Sequence, residues 1–201
     1  MLRSKAPWSV VGGLLLALGS VSAEATDFNT LLKGDFAFTG VTTCFTSFDG
    51  FDGNFIPIGT RTFASSSSVI GVRTFNGDGT GKARTTVAGV GLPSTTPTFF
   101  NPGGANSSTM DGDFTYEVNE DRTVVVRGPM STGTILEGPR SGEQIRYDHV
   151  PELVGWISKD LRTIVVAHRR LQVETLTFLS EGLVLPRICY RTRVGIELKN
   201  R

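Results

Sequence analysis

The side chains of this chain that could transfer protons are few. Two candidate acid–base sites arise from them: Glu174 acting with Tyr190 or His168, and the adjacent pair Asp148 and His149. General acid–base catalysis needs one such pair at hydrogen-bonding distance in a dry pocket. Nothing in the sequence places either pair in such a pocket, so it identifies no catalytic residue.

Strand alternation argues against the first of these sites. Successive side chains of a strand point to opposite faces, so a core-facing Val173 turns Glu174 toward solvent. Asp148 and His149 lie in a polar segment without a strand pattern. We therefore interpret both pairs as ordinary polar residues that face solvent, and the sequence favours a binding protein over an enzyme.

A glycine-rich stretch resembles two ligand-binding motifs but departs from both. In a phosphate-binding loop the first glycine would fall on Asn76, and Ala83 stands where Ser or Thr should bind magnesium. A calcium loop starting at Thr74 would lack its acidic first ligand and would have Thr85 in place of the bidentate Glu. The stretch predicts a tight hairpin turn instead, because Asn-Gly and Asp-Gly readily adopt positive φ angles.

Residues that could bind a metal ion are also sparse. The chain has only two histidines, and a zinc site would need both of them together with carboxylates. The aspartate–glycine pairs that begin at Asp49, Asp52 and Asp111 are typical of turns. The sequence therefore predicts no metal and no cofactor.

The two cysteines, Cys44 and Cys189, are predicted to form a disulfide if the protein is exported. Which face of the sheet each cysteine side chain points to is an open question. Cys44 shares parity with Phe36 and Phe38, whereas Cys189 shares parity with neighbouring arginines. Unless a bulge at Gly40 shifts the phase, the two thiols would point to opposite faces of the sheet.

Export itself is predicted from residues 1–23, which have the parts of a signal peptide. Two basic residues precede an uncharged run over 8–18, and Val21-Ser22-Ala23 supplies small residues for cleavage. The run is too short for a bilayer, which needs roughly 20 apolar residues. We expect residues 24–201 to form one secreted or periplasmic domain with no integral membrane segment.

The charge balance excludes a protein that is drawn to its partner by a strong overall electrostatic field. The chain has 20 basic and 19 acidic residues, for a formal net charge of +1. Such a chain has no overall attraction to nucleic acid, so we expect no nucleic-acid partner. The late arginines are interpreted as a solvated strand face; they are Arg169, Arg170, Arg187, Arg191, Arg193 and Arg201.

Short strand-like runs fill the chain after the leader. Gly, Thr, Ser, Val and Phe dominate, turn signals recur, and no window keeps a helical period. We predict an all-β fold, an antiparallel up-and-down β-barrel of eight or nine strands, because closure removes exposed edges. A β-sandwich is the alternative. Residues 27–32 are predicted to form a short helical turn before the first strand.

The interior of such a barrel is the candidate ligand site. An eight-stranded barrel either fills with side chains or holds one small ligand. Two long segments, 89–111 and 136–151, are expected to be loops. The candidate binding residues are the predicted inward aromatic residues and a pair on the first of these loops: Phe36, Phe38, Phe75, Phe114, Tyr116, Tyr190, Phe99 and Phe100.

A resemblance supports this interpretation. At Phe28-Asn29, Gly34 and Phe36 the chain resembles the opening of lipocalins, in which a short helical turn leads into Gly-x-Trp on the first strand. Here Phe36 replaces the Trp. More broadly, the chain resembles exported bacterial lipocalin-like or allene-oxide-cyclase-like barrels. The resemblance implies a barrel with an apolar cavity, and it transfers no catalytic residue.

We therefore expect an exported barrel that binds a small apolar or amphipathic ligand in its interior. Two alternatives follow from the same architecture. One is a cyclase or isomerase-type enzyme that uses the cavity to fold a substrate. The other is a surface interaction protein with a solid core. The sequence predicts no oligomeric state.

Overall fold

The computed structural model describes residues 27–92 and 104–199 of the chain. Over these residues the regular structure consists of ten strands and a short 3₁₀ helix, Phe28–Leu31. The predicted leader lies outside the described residues. No helix among the described residues is long and apolar enough to cross a membrane.

The strands are long where they form the wall and short where the wall is interrupted. Their bounds are β1 (Lys33–Ser47), β2 (Thr62–Asn76), β3 (Thr80–Leu92), β4 (Ala105–Val118), β5 (Thr123–Glu137), β6 (Gln144–Asp148), β7 (Leu153–Ile157), β8 (Thr163–His168), β9 (Val173–Phe178) and β10 (Leu183–Glu197).

The strands form one antiparallel sheet that closes on itself, because β1 pairs with both β2 and β10. Each of β1 to β5 pairs with the next in sequence. The first part of β5 pairs with β7 and its later part with β6. In the same way, β10 pairs with β9 and then with β8. The short strands thus share two places in the wall, and ten strands occupy eight positions.

This architecture confirms the predicted all-β antiparallel fold and differs from it in detail. The predicted number of eight or nine strands matches the eight positions in the wall and not the ten observed strands. The reason is that β6 and β7 together form one wall strand broken in two, and β8 and β9 form another. The breaks fall at 149–152 and 169–172. Segments 89–111 and 136–151 are not loops throughout, since β3, β4 and β6 extend into them. The helical turn at 27–32 is confirmed.

One end of the barrel is packed solid, and we call it the packed half. Large apolar side chains from most of the wall strands meet there, as expected when an eight-stranded barrel is filled by its own side chains. Phe75 contacts three rings edge-on or nearly so, at centroid distances of 5.0–5.3 Å. The buried residues are Leu32, Phe36, Phe75, Ala83, Phe114, Tyr116, Val118, Val124, Val126, Leu153, Ile157, Ile164 and Val166.

The 3₁₀ helix closes the packed half through Asn29 and Tyr116. The Asn29 side chain accepts a hydrogen bond from the Val118 amide at 2.9 Å. The Tyr116 hydroxyl donates to the Leu32 carbonyl at 2.8 Å and accepts from the Gly77 amide at 2.9 Å. The chain before β1 is therefore tied to the hairpin turns at this end of the barrel.

The seam between the first and last strands is covalently closed. Cys44 lies directly opposite Cys189 in the β1–β10 register, and their sulfurs are bonded. This confirms the predicted disulfide. The register runs through Gly40 without a shift, so no bulge is needed. Both cysteines face the interior, at a level where large apolar side chains are fewer.

Gly81 gives a direct test of the packed half. A Cβ at this position would lie 2.4 Å from Cζ of Phe114 and 2.5 Å from the Thr74 carbonyl oxygen. We expect Gly81→Ala to lower the free energy of unfolding by about 1–3 kcal/mol, because overpacking displaces the ring. Urea denaturation would measure the change.

The matched control is Gly53→Ala, since nothing lies within 4 Å of a Cβ at that position. We expect this change to stay within about 0.5 kcal/mol of the wild type. Equal stability of the two variants would contradict the tight packing described for Phe114.

Candidate functional site

The other end of the barrel, the cavity half, is not filled. Its lining from β1 to β5 consists largely of small side chains: Thr42, Thr46, Ser65, Ser67, Thr85, Gly89, Ser108 and Ser131. Such residues cannot span an eight-stranded barrel, whose centre needs large side chains to fill it. A cavity of about 230 Å³ remains, which is space for about eight waters at roughly 30 Å³ each.

One wall of this cavity is apolar. Met110, Ile145, Phe178 and Leu185 form a buried cluster, and each of them lines the cavity. Phe38 lines it as well, near the boundary with the packed half. This wall can accept the apolar part of a small molecule.

The cavity lining also carries buried charge. Glu174 is 0 % exposed and lies between two arginines of β10. Arg187 donates to Oε1 of Glu174 from Nε at 2.7 Å, and Arg191 donates to Oε2 at 2.6 Å. We call these three residues the arginine–glutamate cluster. A buried carboxylate is stable in such a setting only when it is paired and hydrogen-bonded.

These pairings decide the protonation of Glu174. Burial acts to raise its pKa, but the Arg187 and Arg191 guanidinium groups outweigh burial and lower the pKa to about 2. Glu174 is thus ionised at neutral pH, and both of its oxygens accept charged hydrogen bonds. It is a poor proton acceptor in this arrangement.

His168 is held neutral beside the arginine–glutamate cluster. Burial, followed by repulsion from Arg191, lowers its pKa. Its Nδ1 lies 2.7 Å from the Cys189 carbonyl oxygen, which fixes the tautomer with the proton on Nδ1. Nε2 then faces Arg191 at 3.4 Å. His168 therefore helps to position Arg191.

The disulfide touches the same cluster. Sγ of Cys189 lies 3.1 Å from Oε1 of Glu174. The sulfur atoms of both cysteines and the Glu174 carboxylate are as close together as the ligands of a metal ion would be. The sulfurs are bonded to each other, so they carry no proton to donate and offer no thiolate. This grouping gives no reason to infer a metal ion.

Two further arginines line the cavity without an anionic partner among the described residues. Arg193 donates to the carbonyl oxygens of Val41 and Thr192 and to the Thr42 hydroxyl, each at 2.7 Å. All three acceptors are neutral. Burial, then repulsion from Arg191 and Arg73, lowers the pKa of Arg193 to about 9.

Arg73 is the less satisfied of the two. It is 9 % exposed, and its buried Nε has no hydrogen-bond partner. Its guanidinium carbon lies 4.8 Å from the ring centroid of Phe38 and 5.5 Å from that of Phe114. Burial lowers its pKa to about 10. The aromatic faces offset part of the cost of burial but provide no hydrogen-bond acceptor of full strength.

The structure distributes the predicted binding residues over several places. Phe36, Phe75, Phe114 and Tyr116 belong to the packed half, whereas Phe38 lines the cavity. Phe99 and Phe100 lie outside the described residues. Ligand contact by any of these residues stays a prediction.

The prediction that Tyr190 points inward is wrong. Its side chain is 55 % exposed, on the outer face of β10. The reason is the phase of this strand: Arg187, Cys189, Arg191 and Arg193 are the inward residues. The expectation that these arginines form a solvated face, and that Glu174 faces solvent, is wrong for the same reason.

The structure also places the residues of the two predicted acid–base pairs. His168 and Glu174 lie in one cluster, and Tyr190 is on the opposite face of the wall. Asp148 accepts a hydrogen bond from Arg146 at 2.8 Å. His149 is exposed, has a φ of 58°, and lies at the break between β6 and β7. The structure therefore favours neither pair as a proton-transfer site.

Comparison with known proteins adds little to this geometry. No family model and no curated protein matches the chain. Among solved structures, DynF from the dynemicin biosynthesis pathway of Micromonospora chersina is similar, with 12 % identity and a TM-score of 0.39. The match covers 83 % of this chain and 81 % of that chain. At this low similarity it carries no argument.

Proposed function

We propose that the protein binds one small amphipathic molecule in the cavity half of its barrel. The observation that carries this proposal is a cavity whose lining combines a buried apolar cluster with buried arginines. A barrel of this size commonly either fills itself or holds a ligand, and this one fills only one end. We further propose that it does so as an exported protein, which is consistent with the disulfide.

The cavity volume limits the size of the ligand. Pockets for drug-sized molecules start at roughly 300 Å³, whereas this cavity measures about 230 Å³. The proposed ligand is therefore smaller than a long-chain lipid. Six-carbon compounds such as 1-hexanol and hexanoate are suitable probes.

Binding of these probes would be tested by titration calorimetry and by methyl NMR. We expect saturable binding, with shifts confined to methyl groups of the cavity wall such as those of Met110 and Ile145. Native mass spectrometry of protein from its natural host would show whether a small molecule copurifies. Absence of saturable binding by both probes would refute the proposed function.

Filling the cavity should abolish this binding. Ser131 is buried and lines the cavity, whereas the next residue, Thr132, is exposed on the outer face. We expect Ser131→Leu to weaken binding of the probes at least tenfold, because its side chain would occupy the ligand's volume. Calorimetry at one pH and salt concentration would measure this effect.

Thr132→Leu is the control, since it makes a similar change one residue away on the opposite face. It should leave the dissociation constants within about twofold of the wild type. Equal weakening by both variants would indicate a general loss of structure, and no weakening by Ser131→Leu would place binding elsewhere.

A further inference from the structure

The interior of the barrel holds an imbalance of charge. Its buried ionisable groups among the described residues include four arginines but only one carboxylate, Glu174. That carboxylate is already shared by Arg187 and Arg191. A buried cation without a counter-ion is costly, so Arg73 and Arg193 are left as the groups that an anion would stabilise.

The two arginines line the same cavity from the two neighbours of one strand. Arg73 on β2 lies opposite Phe36 of β1, and Arg193 on β10 lies opposite Gly40 of β1. Arg193 is fixed in place by its three neutral acceptors. Room for its side chain comes from Gly40, where a Cβ would lie 2.8 Å from Cδ of Arg193.

The cavity lining offers no internal substitute for an external anion. The described lining contains Arg73, Arg187, Arg191 and Arg193 and no Asp or Glu. The same lining includes Phe38, Met110 and the other apolar residues of the buried cluster. Guanidinium groups bind carboxylates through paired, charge-assisted hydrogen bonds. The combination fits a molecule with one anionic end and a short apolar body.

We propose that Arg73 and Arg193 form an anion subsite that takes the carboxylate of a small organic acid, whose apolar body lies against the Met110 side of the cavity. This assignment rests on the proposed function and names its ligand class. Arg73 is the principal contact, because its Nε has no partner of its own. Arg193 adds positive charge from a fixed position.

Four ligands with the same six-carbon body test the assignment: hexanoate, 1-hexanol, hexylamine and hexyl phosphate. Calorimetry at pH 7 and constant ionic strength should give hexanoate a dissociation constant at least tenfold lower than that of 1-hexanol. Hexylamine should bind more weakly than 1-hexanol, because its ammonium group is repelled. NMR should show hexanoate-dependent shifts of the Arg73 and Arg193 Nε–Hε signals.

Arg73→Met separates the charge from the shape of the side chain. We expect it to weaken hexanoate binding at least tenfold while changing 1-hexanol binding less than twofold. The melting temperature of the ligand-free variant should not fall, because the change removes an uncompensated buried charge. Arg84→Met is the control; Arg84 faces outward on β3 with a side chain 90 % exposed, and its replacement should change neither affinity.

The outcomes distinguish this inference from the proposed function. Equal affinity for hexanoate and 1-hexanol would overturn the anion subsite while leaving a cavity that binds ligands. Tighter binding of hexyl phosphate than of hexanoate would overturn the carboxylate assignment. If Arg73→Met fails to fold, the ligand series and the arginine NMR signals of the wild type still decide the question.

Discussion

Reduction of the Cys44–Cys189 disulfide is expected to lower the free energy of unfolding by about 5 kcal/mol. The two residues are 145 positions apart, so the bond closes a loop that includes most of the barrel. In the chain-entropy account, a loop of this length restricts the unfolded chain strongly. Guanidinium chloride denaturation with and without a reductant would measure the difference.

The control for this prediction is the double variant Cys44→Ala, Cys189→Ala. It should have the stability of the reduced wild type and should not respond to the reductant. A reduced protein as stable as the oxidised one would show that the β1–β10 hydrogen bonds and the packed half suffice to close the barrel.

Glu174→Gln is expected to destabilise the protein by about 3–5 kcal/mol. The substitution keeps the shape of the side chain but leaves Arg187 and Arg191 buried without their shared counter-ion. Loss of one partner from a buried ion cluster costs more than the cluster itself contributes. Thermal or chemical denaturation at pH 7 would measure the loss.

The pH dependence of stability gives this prediction a second measurement. The pKa of Glu174 falls from its ordinary value of 4.5 to about 2 in the folded protein. A carboxyl group with a lowered pKa stabilises the fold above its unfolded pKa, and this contribution is lost as the pH falls through the folded value. Glu174 should thus contribute fully above about pH 5 and lose its contribution between about pH 4.5 and 2.

The stability difference between the wild type and Glu174→Gln should therefore shrink over that pH range. Glu152→Gln is the control, because Glu152 pairs with Arg127 on the surface with a side chain 54 % exposed. Exposed pairs contribute about 0–1 kcal/mol, so this variant should differ little from the wild type. A pH-independent difference for Glu174→Gln would contradict an ionised, paired carboxylate.

The architecture could be predicted from local features of the sequence. Asn-Gly and Asp-Gly at 76–79 fix a hairpin turn, and alternation in β1 places Phe36, Phe38 and Cys44 on one face. The break between β6 and β7 could not be predicted in this way, because short polar strands such as Gln144–Asp148 resemble loops. Their pairing partners β5 and β9 decide their structure.

The candidate site does not follow from the sequence when polarity is used as the guide to exposure. That rule assigns Glu174 and the late arginines to solvent and reverses the phase of β10. One sequence signal points the other way. A disulfide across paired strands requires Cys44 and Cys189 to share one face of the sheet, and Cys44 shares its face with Phe36 and Phe38. Every second residue from Cys189 then points inward too, including Arg187, Arg191 and Arg193. The charges are tolerated there because Glu174 on β9 compensates two of them.

Within the cavity half, the small residues of the lining are distinct from the groups that maintain the fold. Aromatic packing holds one end, and a covalent link holds the strand seam nearer the other. The Ser, Thr and Gly lining contributes little to either. Mutational drift in that lining could therefore change what the barrel carries while its framework persists, so related chains could share this scaffold and differ in cargo.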